Sequence, residues 1–238
     1  KNYSKISNFS FEFLNIQELD LSYNNLESIE PYSFSNMINL KNLSLESNSF
    51  INISFDKIIN LNNLKTLNLD LNEIYILKSR MFNGLINLEI LYLNLNSIEE
   101  IEQDAFSKDM IELKQLYLNE NLIQYCKPFY FNSLIHLELI SLNQNLIEVI
   151  SIECFANLTS LKRLWLEGNQ IKIFQLIRYN SFDILNNLEN ISLNDNDITY
   201  LNNQTFGNIS SLKILIVSQT KIDQIDSSAF ISINNLEI

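Results

Sequence analysis

Glycine and proline are nearly missing from this chain, with three and two residues among 238. That scarcity excludes a collagen-like helix and any glycine- or proline-rich low-complexity segment. Histidine occurs once, as His136, and the chain has no H-E-x-x-H, nucleophile elbow or glycine-rich phosphate loop. No catalysis is expected, and His136 reads as a turn residue between repeats. No apolar run approaches the roughly 18 residues of a membrane span, so nothing within the segment inserts directly. The first residues also lack a signal-peptide core. Basic residues are outnumbered 16 to 28, for a formal charge of −12. Such a balance argues against nucleic acid, heparin-like polymers and anionic lipid surfaces as partners. The acidic group Glu99, Glu100, Glu102 and Asp104 lacks calcium-loop spacing, and neither metal nor cofactor is expected.

Cysteine is almost as rare, with two residues. Cys126 and Cys154 stand in neighbouring units of the repeat described next, at its places 14 and 18. Four extended residues plus one coil spacing would exceed the roughly 4.4–6.8 Å between Cα atoms that a disulfide needs. Two free thiols are therefore expected, Cys126 as a small core residue.

What the chain does have is a repeat. Leu161 to Ile171 reads L-K-R-L-W-L-E-G-N-Q-I, and the same skeleton starts at Ile16, Leu40, Leu64, Leu88, Leu113, Leu137, Leu188 and Leu212. Steps of three and then two do not stay on one helical face, whereas a short strand turns Leu164 and Leu166 inward and Arg163, Trp165 and Glu167 outward. Nine full units run over 16–235, after a partial unit 1–15 and before the start of a tenth at 236–238. Seven have 24 residues, one has 25 and one 27. Neither end carries a cap, so the chain is expected to be part of something longer.

Place nine holds Asn24, Asn48, Asn72, Asn96, Asn121, Asn145, Asn169 and Asn196, with Thr220 in the ninth unit. An inward asparagine there can bond backbone groups that have left the strand ladder. Further on recur Phe34, Phe82, Phe106, Phe131, Phe155, Phe182, Phe206 and Phe230, with Ile58 in the second unit. They predict a column of rings on the convex side, connected by turns or single 3-10 turns. Place two alternates in sign through Lys65, Glu89, Lys114, Glu138, Lys162, Glu189 and Lys213, which predicts a charge ladder between adjacent strands.

The pattern L-x-x-L-x-L-x-x-N-x-I, with a phenylalanine further on, resembles the typical 24-residue class of leucine-rich repeats. That class is usual in extracellular animal proteins such as Toll-like receptor ectodomains, Slit and chondroadherin. The resemblance implies a single curved, strand-rich α/β-type solenoid with a parallel sheet on its concave face. It also implies an extracellular or cell-surface module, noncatalytic, binding a protein ligand or receptor as part of a receptor or adhesion ectodomain. A structural matrix protein and an intracellular adaptor are the alternatives.

Outward strand places are where a partner's contacts can vary without disturbing the core. At the start they include Glu18, Asp20, Glu46 and Asp70, and then Ile90, Tyr92, Tyr117, Leu139, Arg163 and Trp165. Ser141 between Tyr117 and Trp165 reads as a gap able to receive a partner's side chain. An acidic end leading into an aromatic middle predicts a protein-recognition surface. Candidate N-glycosylation sites are Asn2, Asn8, Asn42, Asn52, Asn157, Asn190, Asn203 and Asn208.

Overall fold

Leucines at places four and six can be buried only if successive units stack, and they do. The computed structural model describes residues 4–11, 14–55, 61–150, 152–174, 185–207, 209–231, 233 and 235–236. Each unit supplies one three-residue strand: Glu18–Asp20, Asn42–Ser44, Thr66–Asn68, Ile90–Tyr92, Gln115–Tyr117, Leu139–Ser141, Arg163–Trp165, Asn190–Ser192 and Ile214–Ile216. All nine pair in chain order as one parallel sheet. Register is conserved at every step, so Leu91 faces Leu116, Leu116 faces Ile140 and Ile140 faces Leu164. The longer units keep that register too, with Ile90 facing Gln115 and Arg163 facing Asn190. Between strands the amides of Lys65 and Thr66 both donate to Lys41 O, at 2.7 and 3.0 Å.

The return path carries more order than its sequence suggested. Two-residue parallel pairs form between Lys5–Ile6 and Ser28–Ile29, Ile76–Leu77 and Glu100–Ile101, Tyr125–Cys126 and Val149–Ile150, and Tyr200–Leu201 and Gln224–Ile225. In these pairs an exposed residue such as Tyr125 or Tyr200 alternates with a buried one such as Cys126 or Leu201. Beyond them lie turns and, among the described residues, one 3-10 turn at Ile152–Phe155 and one helical turn at Asn203–Phe206. The latter is capped by Asn202, whose side chain accepts from Gln204 N at 2.8 Å.

The ring column exists, with different members in part. Phe82, Phe106, Phe131 and Phe155 follow one another with centroids 5.7–6.5 Å apart. Phe55 rather than Ile58 provides the ring before Phe82, at 6.3 Å. Phe174 and Phe230 flank Phe206 at 6.4 and 5.9 Å, and Phe11 extends the start at 5.4 Å from Phe34. Ile58 and Phe182 lie outside the described residues.

The cysteines correct a sequence expectation. Cys126 and Cys154 form a disulfide with Cα atoms 5.6 Å apart. Four residues do not carry the chain away as an extended strand would. Cys126 pairs in register with Ile150, and the chain then coils through the 3-10 turn, advancing only about 2 Å per residue. Cys154 is thereby returned beside Cys126, with both residues in the core.

The charge ladder forms at four of its six steps. Lys65 and Lys114 both reach Glu89, at 2.6 and 2.9 Å, while Lys162 meets Glu138 at 3.0 Å and Lys213 meets Glu189 at 3.2 Å. The two lysines hold the Glu89 carboxyl below its usual range, Lys65 most strongly. Its contribution is present above the unfolded-state pKa and is lost as pH falls through the lower folded value. Glu89→Lys is expected to lower the denaturation midpoint modestly at 10 mM salt, with the difference shrinking toward ~0.5 M salt. Urea titrations at the two ionic strengths measure it; an unchanged difference would mean the pairs do not act electrostatically.

Candidate functional site

Places three and five of each strand point out from the sheet, and their rows form the concave surface. At its start the carboxylates are already engaged. Asn42 Nδ2 donates to Glu18 Oε1 at 2.9 Å, and Ser22 N donates to Asp20 Oδ1 at 2.9 Å. Hydrogen bonds from Ser22 hold the Asp20 carboxyl below its usual range. Glu46 accepts from the Tyr23 hydroxyl at 3.1 Å and from Asn68 Nδ2 at 3.0 Å.

Asp70 belongs to a second polar ladder that the sequence reading missed. At place seven Asp70 Oδ1 accepts from Asn94 N at 2.6 Å, Asn94 Oδ1 from Asn119 N at 2.9 Å, Asn119 Oδ1 from Asn143 N at 3.0 Å, and Asn143 Oδ1 from Glu167 N at 2.9 Å. It resumes where Asn194 Oδ1 accepts from Ser218 N at 3.0 Å. The signal was available as a column of asparagines two places before the one already recognised. These side chains tie coil to coil along one margin of the surface.

Burial raises the Asp70 pKa, against the lowering by its Asn94 bonds. A raised folded-state value means the protonated form is the better accommodated one. The advantage is complete below the unfolded-state pKa and disappears as pH rises through the folded one. Asp70→Asn supplies the oxygen the ladder uses without the charge. It is expected to raise the midpoint at pH 7, with the gain fading as pH falls to ~4. Equal shifts at both pH values would contradict this assignment.

The aromatic middle is partly closed. Tyr92 and Tyr117 stack at 4.9 Å between centroids and 9° between planes. The Tyr117 hydroxyl donates to Gln115 Oε1 at 2.9 Å, and burial pushes its pKa up. Ser141, in register between Tyr117 and Trp165, has 0% exposure and donates to Asn119 Oδ1. The supposed gap is therefore filled. Leu139 was expected to face a partner, yet it is only 2% exposed. Its register neighbours Gln115 and Arg163 carry longer side chains, and a leucine between them leaves little surface. Ile90, Tyr92, Tyr117, Arg163 and Trp165 remain half-buried, each with a face open to solvent. Ile214 and Ile216 are exposed on the ninth strand.

The place-nine asparagines are the rigid floor beneath this surface. Asn48, Asn72, Asn96, Asn121, Asn145, Asn169 and Asn196 are all buried, and each binds its own coil and the one before. Asn24, in the first full unit, is exposed and among the described residues donates within its own coil, to Leu21 O and Ser22 O at 3.0 Å. Thr220 donates to Val217 O of its own coil at 3.0 Å. The residue before each asparagine takes a left-handed conformation, with φ of 50–55° at seven non-glycine places such as Leu71, Leu95 and Gln144 and 66° at Gly168, and Gln219 before Thr220 does the same at 55°. That bend turns the asparagine inward. At Gly168 a Cβ would also meet the Gln144 side chain at 2.1 Å.

Of the candidate glycosylation sites, Asn8, Asn52, Asn157 and Asn203 are exposed, and Asn42 and Asn190 are half-exposed at the starts of concave strands. Asn2 and Asn208 lie outside the described residues. Among the described residues no three His, Cys, Asp or Glu side chains are grouped to hold a metal.

A sequence model of the leucine rich repeat matches residues 3–50, 14–74, 62–109 and 111–171. No curated protein sequence matches significantly. Among solved structures, a TLR13–ssRNA13 complex superposes with a TM-score of 0.82 at 25% identity, covering 93% of this chain and 34% of that one. A leucine-rich repeat protein of Leptospira interrogans gives 0.69 at 24% identity, covering 94% and 63%. The Toll–Spatzle complex of Drosophila gives 0.72 at 23% identity, covering 94% and 33%. The chain thus spans about a third of the length of both Toll-type chains.

Proposed function

The chain belongs to the leucine-rich repeat family, and from that premise we propose that it is a noncatalytic protein-binding module of a secreted or cell-surface protein. Its partner docks on the concave sheet, centred on coils four to seven, as in a receptor or adhesion ectodomain. The observation that carries this reading is the Tyr92–Tyr117 stack with Trp165 and Arg163 two coils further on, all half-open on a hydrogen-bonded backbone. Aromatic and arginine side chains on a preorganised floor lose little entropy on binding, and they are the residue types that dominate interface energetics. The buried Cys126–Cys154 disulfide supports an oxidising, extracytoplasmic setting, and the eight sequons agree with it. The net charge of −12, with carboxylates on the first coils, favours protein over RNA, although one of the similar structures is a complex with RNA.

Binders selected on the intact protein from a random peptide-display library test the placement. Trp165→Ala is expected to weaken them by at least ~2 kcal/mol, roughly thirtyfold, with folding stability little changed. Tyr125→Ser with Ile173→Ser, on the exposed lateral edge, should leave them unaffected. The opposite pattern would move the binding surface to that edge and end the concave-face reading.

A further inference from the structure

Arg163 is the one cation among the outward places of the concave strands. These places read Glu18, Asn42, Thr66, Ile90, Gln115, Leu139, Arg163, Asn190 and Ile214 in one row and Asp20, Ser44, Asn68, Tyr92, Tyr117, Ser141, Trp165, Ser192 and Ile216 in the next. Place seven adds Glu46, Asp70 and Glu167 but no lysine or arginine. Nearby lysines are satisfied, Lys162 by Glu138 and Lys213 by Glu189. Arg163 has no carboxylate partner among the described residues, in a chain where acidic groups outnumber basic ones 28 to 16. It stands in register beside buried Leu139 and two residues before Trp165 on its own strand. Its charge reaches far enough to favour the ionised form of Tyr117, two coils away.

We infer that Arg163 is the anchor for a carboxylate of the protein partner, and that this fixes the partner's direction along the concave face. The inference rests on the concave-face reading above. The guanidinium of this half-buried arginine presents a planar fork that a carboxylate meets with two parallel hydrogen bonds. At the other end of the face Glu18, Asp20 and Glu46 offer the opposite sign without a lysine or arginine among them. From the second coil to the seventh is five strand spacings, about 24 Å at ~4.8 Å each, or roughly seven extended residues. The partner segment that fits carries a basic group, about five apolar residues over Tyr92 and Tyr117, and then an acidic group. Charge complementarity at both ends sets orientation and excludes segments of uniform sign.

The probe is an N-acetylated, C-amidated nonapeptide with two lysines, five apolar residues and two glutamates in that order. Controls replace its glutamates by glutamine or its lysines by norleucine, and a further version carries a free C-terminal carboxylate in place of the glutamates. Affinity is read from Trp165 fluorescence. The expected result is that removing the glutamates weakens binding to the wild-type protein about tenfold or more, and that Arg163→Gln binds both versions equally. Arg163→Lys should keep part of the discrimination, which separates a charge partner from a packing role. Rescue by the free terminus alone would assign the carboxylate to a chain end rather than a side chain. Equal binding of all versions by the wild-type protein overturns the inference and leaves concave-face binding standing. No fluorescence response to any peptide counts against both, as does tighter binding of a 12-nucleotide single-stranded RNA.

Discussion

Replacing Asn121 by alanine is expected to destabilise the protein by roughly 3 kcal/mol, at the upper end of what one lost polar side chain costs. Its Nδ2 donates to Leu93 O at 2.9 Å, Leu118 O at 3.1 Å and Asn119 O at 3.1 Å, and its Oδ1 accepts from Ile98 N at 3.0 Å. The residue is 3% exposed, so water cannot take over these groups without opening the coil. Alanine leaves the Ile98 amide and the Leu93 carbonyl, both belonging to the preceding coil, without this partner. Damage therefore falls on the interface between coils rather than on one coil. In a solenoid stabilised by nearest-neighbour interfaces, that weak point can also split unfolding into two transitions. Asn24→Ala is the internal control. Asn24 is exposed and, among the described residues, binds Leu21 and Ser22 of its own coil, so its loss should cost well under ~1 kcal/mol. Urea titration of both variants measures the difference, and equal costs would show that cross-coil bonding is not what the asparagine column contributes.

The second large effect is expected from the disulfide. Cys126→Ser with Cys154→Ser opens a covalent loop whose ends are 28 residues apart. In the chain-entropy model a loop of that length is worth roughly 3–4 kcal/mol. Two buried hydroxyls in place of the sulfurs add to the loss. The effect should be local, with amide exchange accelerating first around Tyr125–Cys126 and Val149–Ile150 and the outer coils keeping their protection. Denaturation with and without reductant supplies the same comparison without mutation. A change below ~1 kcal/mol would make the bond dispensable for stability.

Legibility of the fold followed from the residues that repeat in phase. Leu91, Leu116, Ile140 and Leu164 lie in register because one place in the repeat is one place in the sheet. The buried asparagines follow from the same phase, since a polar residue at an inward place has backbone groups as its natural partners. Features outside the strand were harder, because the phase slips there. Phe55 and Phe174 complete the ring column from places the repeat does not mark, and Cys154 reaches Cys126 because a 3-10 turn folds back where an extended count predicts separation. At the concave face the alternation identified which side chains point outward but not how much of each remains open. That depends on neighbours in the next coil. Leu139 is lost between Gln115 and Arg163 and Ser141 between Tyr117 and Trp165, whereas Trp165 itself stays half-exposed. The place-seven ladder was visible as Asn94, Asn119, Asn143 and Asn194, but it needed the column to be read across units rather than along one.

The most direct test of a preformed concave recognition surface is acrylamide quenching of Trp165, the single indole in the chain, in the free and the bound protein. The free protein should be quenched to an intermediate degree, as a half-buried indole requires, and should change little when the first coils are perturbed by Asn24→Ala. Saturation with a selected peptide binder should shield the indole, with no shift in the hydrogen-exchange protection of Ile98, Ile123 and Ile147, whose amides donate to the asparagine column. An indole as accessible in the complex as in the free protein would contradict the account, because it would place the partner somewhere other than the concave face.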